Sequence, residues 1–226
     1  MSSHRRGRLV TASSGLALVA TAHGTWALPP LGALWMPPGV RHRLSPSAAV
    51  PWRRLIIGPG MATQLSPEPY VFVVSPLLRQ AILRLSILIG EAPAEAPRRR
   101  LLAVIMDEIL AAEPAPWFLP RPRERRLAKV TRALVKDPAD NRRLEAFSSL
   151  AGASPRTLAR LFVAHTGLTF GAWRQRLRLL TAMTLLQEGM PVETVATKTG
   201  FAGPSAFIAA FRRSTGQSPG QYFRQV

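Results

Sequence analysis

The hydrophobic and polar positions along the 226-residue chain fall into two regimes. Over residues 1–74 the apolar runs are short and broken by proline and glycine. Gly24, Pro29-Pro30, Gly32, Pro37-Pro38-Gly39, Pro46, Pro51 and Gly58-Pro59-Gly60 punctuate segments such as ALWM (33–36) and RRLII (53–57). Strand-length apolar runs at that spacing predict a small barrel or sandwich, and YVFVV (70–74) reads as a further strand. From Ser75-Pro76 onward the period lengthens. Leu77, Leu78, Ile82, Leu85 and Ile89 predict a helix over about 76–90, with Ser75 as N-cap and Pro76 in the first turn. EAPAEAP (91–97) reads as a linker. Leu101, Leu102, Ile105, Ile109 and Leu110 then predict a second helix over about 98–112. Pro114, Pro116, Pro120 and Pro122 mark a boundary, and beyond it the pattern is helical throughout. The expected class is α+β.

The first residues imitate an export signal, with Arg5, Arg6 and Arg8 ahead of a weakly apolar run and Ala20-Thr21-Ala22 as a small-residue triplet. Thr11, Ser13, Ser14 and Gly15 interrupt that run. From Leu16 the side chains Leu16, Leu18 and Ala20 alternate with Ala17, Val19 and Thr21, which fits a strand. No stretch reaches the ~18 apolar residues of a membrane span. The expectation is a cytoplasmic protein without a membrane partner.

Charge sharpens the division. Residues 1–120 hold 12 Lys+Arg against 6 Asp+Glu, and residues 121–226 hold 18 against 6, so two thirds of the net +18 lies in the second half. A basic domain points to nucleic acid or an anionic membrane surface. Only Lys129, Lys136 and Lys198 are lysines; the arginine fork suits phosphates and guanine edges. The chain has no cysteine, which removes disulfides, thiolate metal sites and cysteine nucleophiles.

Within the basic half, residues 142–151 (RRLEAFSSLA) read as a helix broken by Gly152. Ser154 is an N-cap and Pro155 occupies the first helical position. In the helix that follows, Leu158, Leu161 and Phe162 face inward at i, i+3, i+4, Arg156, Thr157 and Arg160 face outward, and Gly167 is the C-cap. Helix, tight turn and capped second helix is the helix-turn-helix pattern. A shift of 49 residues carries Leu158 to Phe207, Leu161 to Ala210, Phe162 to Phe211 and Gly167 to Gly216. GFAGPSAFIAAFRRSTG is thus a second copy of the unit. One long helix, about 170–187, joins the copies through Phe170, Trp173, Leu177, Leu180 and Thr184, and Gly189 and Pro191 stop it.

The segments AGASPRTLARLFVAHTGLTF, WRQRLRLLTAMTLL and VETVATKTGFAGPSAFIAAFRRSTGQSPGQYF resemble the AraC-type transcription regulators over about 141–223. The resemblance implies sequence-specific binding to double-stranded promoter DNA, with two recognition helices (about 155–165 and 204–214) entering adjacent major grooves. It places base reading on Arg156, Thr157, Ala159 and Arg160 in the first unit, and on Pro204, Ser205, Ala206 and Ala209 in the second. Many family members carry an arginine where Ala209 stands, so direct readout is expected chiefly from the first unit. Arg174, Arg178, Arg212 and Arg213 are the phosphate candidates. Contact with RNA polymerase, an unidentified small-molecule effector and homodimer formation are further expectations.

The N-terminal half resembles a cupin barrel that lacks its first strands. Pro37-Pro38-Gly39-Val-Arg-His42 is similar to the second cupin motif, HRRGRL (4–9) to the tail of the first, and GTWALPP to the connecting strand. His4 and His42 are too few ligands for a protein-held metal, and no acid precedes Glu68. No metal, cofactor or catalytic residue is therefore expected, nor an enzyme. A barrel missing strands would expose an edge, which the helices over 76–90 and 98–112 would cover or use as a dimer contact. The expected division is 1–74 as a β sensor region, 75–120 as a helical linker or dimerisation region, and 123–226 as the DNA-binding domain.

Overall fold

The computed structural model of the chain describes residues 4–12, 17–29, 32–45, 52–88 and 95–224. Residues 13–16, Pro30, Pro46, Pro51, Ile89 and the linker stretch 91–94 lie outside them.

The described part of the N-terminal half forms two antiparallel sheets of four strands each. The strands are β1 (Gly7–Ala12), β2 (Ala17–Thr21), β3 (Gly24–Leu28), β4 (Gly32–Met36), β5 (His42–Ser45), β6 (Trp52–Ile57), β7 (Tyr70–Val73) and β8 (Phe118–Pro120). One sheet runs β6-β1-β4-β7 and the other β5-β2-β3-β8. Register sorts the side chains. Arg8 lies opposite Met36 and Ile56, and Val10 opposite Leu34 and Arg54. Because side chains alternate along a strand, Val10, Leu34 and Met36 share the face that packs with Ala17, Val19 and Trp26 of the other sheet. Leu9, Ala33, Trp35 and Ile57 share the opposite face. The stretch that imitates a signal peptide becomes β2, with Ala17 and Val19 both fully buried.

A short helix, α1 (Pro59–Ala62), precedes β7, and α2 (Pro76–Leu88) and α3 (Glu95–Ala111) follow it. Ser75 Oγ accepts from Leu78 N at 3.0 Å, the expected cap. Both helices lie over the outer face of the first sheet, where Leu78, Ile82, Leu85, Ile105 and Met106 meet Leu9, Trp35 and Phe72. They cover a sheet face rather than an edge. Two expected stripe residues are displaced: Leu77 and Leu110 are 56% and 51% exposed, and Met106 is buried instead. The helix α3 also starts earlier than expected and absorbs the end of the linker. Pro97 falls in its first turn, where backbone N–H groups have no intrahelical acceptor to lose, and Glu95 suits the positive end of the helix dipole.

The strand β8 comes from the proline-rich boundary and adds to the edge of the second sheet. It pairs Phe118 with Trp26 and Pro120 with Gly24. A Cβ on Gly24 would sit 2.3 Å from Leu119 O and 2.5 Å from the Phe118 ring, so only glycine lets the strands approach this closely.

Beyond β8 every described element is helical: α4 (Arg125–Lys136), a 3₁₀ turn (Leu144–Phe147), α5 (Ser148–Ala151), α6 (Pro155–Thr166), α7 (Phe170–Gln187), α8 (Val192–Lys198), α9 (Pro204–Thr215) and α10 (Pro219–Arg224). The helix expected over 142–151 is cut to one 3₁₀ turn plus one α turn. Asp140 Oδ1 accepts from Arg142 N at 2.9 Å, an Asx turn that holds this approach out of helical geometry. Two cores share α7. Its first half, with Phe170, Trp173 and Leu177, packs on Leu127, Val130, Phe147, Leu158 and Phe162. Its second half, with Leu180, Ala182 and Met183, packs on Val195, Phe207, Ala210 and Phe211.

Candidate nucleic-acid interface

The two reading helices are built alike. Each begins with proline at its first position and ends on a left-handed glycine, Gly167 with φ +70° and Gly216 with φ +79°. A side chain with a Cβ is strained in that region, so glycine terminates both helices. In each, the last threonine hydroxyl donates back four residues, Thr166 Oγ1 to Phe162 O at 2.7 Å and Thr215 Oγ1 to Phe211 O at 2.9 Å. Leu158, Phe162, Phe207 and Phe211 are fully buried, and Ala210 nearly so. Fixed on one side by these rings, each helix must turn its other face outward.

That outer face carries the expected base-reading residues. Arg156, Ala159 and Arg160 are exposed on α6, with Thr157 half-buried beside them. Thr157 N donates to Ser154 Oγ at 3.2 Å, and the two hydroxyls lie 3.0 Å apart, so the N-cap holds the first turn in place. On α9, Pro204, Ser205, Ala206 and Ala209 are exposed, and Ile208 is 37% exposed among them. This face has no charged donor until Arg212 and Arg213 in the last turn, both exposed.

The other phosphate candidates separate. Arg174 is half-buried; its Nη1 donates to Arg142 O at 2.7 Å and its guanidinium lies 4.9 Å from the Phe170 ring centre. This contact brings it beside Arg142 and Arg143, two exposed cations that the sequence reading did not nominate. Their only signal was the dipeptide itself, at the start of a segment read as ordinary helix. Arg142 is bound to Asp140 at 2.6 Å; hydrogen bonding to Arg142, then its charge and that of Arg174, hold the Asp140 carboxyl below its usual range against the opposing effect of burial.

Arg178 requires a correction. It is 7% exposed, and its guanidinium donates to Pro138 O, Asp140 O and Asn141 Oδ1, each at 3.0 Å. Burial, then the charge of Arg174, lowers its pKa. It is placed on the protein's own loop between α4 and the 3₁₀ turn, not on a phosphate. The physical reason is that α7, shared by two cores, has little free surface. Gly200, at φ +74°, packs against the same place, since a Cβ there would lie 2.7 Å from Arg178 Nη2 and 2.8 Å from Ala139. Arg178 thus joins the loop of the first unit to the turn of the second. Of three aromatics that helical spacing assigns to the core rather than to base stacking, Trp173 and Phe211 are 1% and 0% exposed, and Phe201 is half-buried.

The geometry therefore offers one strongly cationic helix face, one small and apolar face, and a cationic border. A 1.5 Å rise per residue makes the 18-residue α7 about 27 Å long, comparable with the ~34 Å helical repeat of B-DNA. Among the described residues no helix is long and apolar enough to cross a membrane. The two cupin-motif histidines, with ring centres 5.3 Å apart, have no carboxylate or third imidazole beside them among the described residues, so the donors do not fit a metal.

The chain is similar to several known proteins. A helix-turn-helix domain model matches residues 147–225. The HTH-type transcriptional regulator NimR of Escherichia coli is 32% identical over 223 residues, covering 99% of this chain and 81% of that protein. The HTH-type transcriptional regulator RipA of Corynebacterium glutamicum is 40% identical over 103 residues, 46% of this chain and 31% of that protein. Among solved structures, the DNA-binding domain of AdpA in complex with a target DNA matches 45% of this chain and 93% of its own, with 31% identity and a TM-score of 0.43. ToxT from Vibrio cholerae matches 99% of this chain and 91% of its own, at 11% identity and a TM-score of 0.45.

Proposed function

Since the chain belongs to the AraC-type transcription regulators and is a DNA-binding protein of that family, we propose that it reads promoter DNA asymmetrically, with α6 specifying bases and α9 mainly docking. The observation that carries this is the contrast between two helices of the same build: one faces outward with Arg156 and Arg160, the other with Ser205, Ala206 and Ala209. A bidentate arginine–guanine pair discriminates by about 1–3 kcal/mol. Alanines and a serine supply only small contacts.

In this reading α6 and α9 enter successive major-groove faces, held apart by α7. Arg156, Thr157, Ala159 and Arg160 meet base edges; Pro204, Ser205, Ala206 and Ala209 lie against the second groove. Arg174, Arg212 and Arg213, together with Arg142 and Arg143, meet phosphates. Arg178 plays no part in contact. The chain acts by binding and not by catalysis, and the β half modulates it.

A genome-wide binding map of the tagged full-length protein supplies the operator. Competition binding then tests the assignment. Arg160→Ala is expected to weaken the specific operator by about 10–100-fold while changing non-specific duplex binding little. The double change Arg212→Ala, Arg213→Ala should weaken both and lower the salt slope by about 2. Equal loss on specific and non-specific duplex for Arg160→Ala, or strong base preference confined to the α9 half-site, overturns the asymmetric reading.

A further inference from the structure

Between the two sheets, toward one end, lies a cavity of ≈ 130 Å³ lined by His4, Arg8, His42 and Arg54 with an apolar floor that includes Val10, Val19 and Leu34. Register explains the grouping. Arg8 and Val10 stand on the inner face of β1, and Arg54, opposite Val10, stands on the same face of β6. His42 opens β5 and is 4% exposed. His4 is held just ahead of β1, its carbonyl accepting from Gly39 N at 2.8 Å.

Four basic side chains share this space, and among the described residues no acid lines it. The sequence has seven arginines before its first carboxylate, Glu68. Arg8 Nε is shielded from solvent and has no hydrogen-bond partner among the described residues. A buried donor left unpaired is costly, and a guanidinium facing a second guanidinium is costlier. His42 Nδ1 lies 3.0 Å from Val40 O; since a carbonyl can only accept, that nitrogen carries the proton, and Nε2 is the ring's remaining polar atom. The field in the cavity is positive. Burial, then Arg8, His42 and Arg54, holds the His4 imidazole below its usual pKa, and burial and Arg54 do the same to Arg8. Such a field repels a metal ion and attracts an anion. The floor adds a second requirement, because a bare inorganic anion would leave the apolar wall unmatched. A cavity of about 150 Å³ holds a molecule the size of benzene.

We propose that this cavity binds a compact carboxylate, with its carboxyl group on Arg8 and Arg54 at the mouth and its apolar body against Val10, Val19 and Leu34.

The test is calorimetric titration of the full-length protein with benzoate, butyrate, benzamide and inorganic phosphate. Saturable binding of benzoate or butyrate is expected, with benzamide and phosphate at least about tenfold weaker. Arg8→Gln and Arg54→Gln should each weaken the carboxylate by about tenfold or more. Arg54 is exposed, so its replacement leaves the fold intact and separates ligand contact from a structural role of Arg8. Absence of carboxylate saturation below about 10 mM, benzamide or phosphate binding as tightly as benzoate, or unchanged affinity in Arg54→Gln each overturns the proposal. Duplex binding of the same preparations, measured without carboxylate, reports DNA reading separately from carboxylate binding.

Discussion

Replacing Arg178 by methionine separates an internal clamp from a phosphate contact. The substitution keeps most of the buried stem and removes all three hydrogen bonds. Hydrogen bonds from a charged donor contribute roughly 1.5–3 kcal/mol each, and those sharing one guanidinium are not additive. Part of the loss returns as water reaches the loop carbonyls of Pro138 and Asp140. A net destabilisation of about 3 kcal/mol is the expected result. For a unit of roughly 100 residues each kcal/mol lowers Tm by roughly 4–8 °C, so a drop of roughly 12–24 °C follows. Thermal circular dichroism reads this directly. The second readout is duplex binding by fluorescence anisotropy at 10 °C between about 50 and 200 mM salt. Each phosphate contact contributes about 0.9 to the slope of log affinity against log salt. The slope of Arg178→Met should match that of the parent. A Tm within about 2 °C of the parent, combined with a slope lower by about 0.9, would refute the clamp and restore Arg178 to the phosphates.

Gly200→Ala should cost more than about 2 kcal/mol in urea unfolding, from left-handed strain plus the clash with Arg178 and Ala139. Gly152→Ala, at φ +67° with nothing within 4 Å of the added Cβ, should show only the strain, about 1 kcal/mol; equal losses would remove the packing argument. Trp173→Phe deletes the buried bond from Nε1 to Pro120 O, 2.9 Å long, and should lower stability by about 1–2 kcal/mol. For acid sensitivity, the Asp140 carboxyl sits below its unfolded pKa, so its contribution is present above the ordinary carboxylate range and is lost as pH falls through the depressed value. Asp140→Asn should therefore be less stable than the parent near neutrality, with the gap in urea midpoints closing in acid; a gap that persists unchanged at low pH would show that the charge is not responsible.

The helical half was legible because its constraints are local. Proline and glycine punctuation, capping and i, i+3, i+4 spacing all occur within a dozen residues, and the 49-residue shift locates α6 and α9 to the residue. The repeat extends further than composition alone suggests: Trp173 and Tyr222 are also 49 apart, and both are buried. Aromatic rings of different type hide that equivalence in the sequence. Periodicity failed where one helix serves two cores. On α7, Leu177, Arg178, Leu179 and Leu180 are buried in succession, so no polar face remains on which an arginine can be assumed free. The cationic cavity was invisible for a different reason. Arg8 and Arg54 are 46 residues apart in the sequence and meet only through the β1–β6 register.

The strand β8 shows how the two halves depend on each other. On one side it completes the second sheet by pairing with β3, and the Trp26 and Phe118 rings stack with centres 4.2 Å apart. Its carbonyls meet α7: Phe118 O accepts from Arg176 Nη1 at 3.0 Å, and Pro120 O from Trp173 Nε1 at 2.9 Å. Just before it, Trp117 is buried against Tyr222 of α10, with ring centres 6.3 Å apart. Backbone acceptors left open on an edge strand would invite another chain. Here the connecting helix between the two reading units occupies them. Because α7 also fixes the separation of α6 and α9, the placement of both reading helices is tied to the β half through two β8 carbonyls and the Trp117–Tyr222 contact. A displacement of β8 large enough to break the Trp173 and Arg176 bonds must therefore release α7 from the sheet, whereas one confined to β1 or β6 need not.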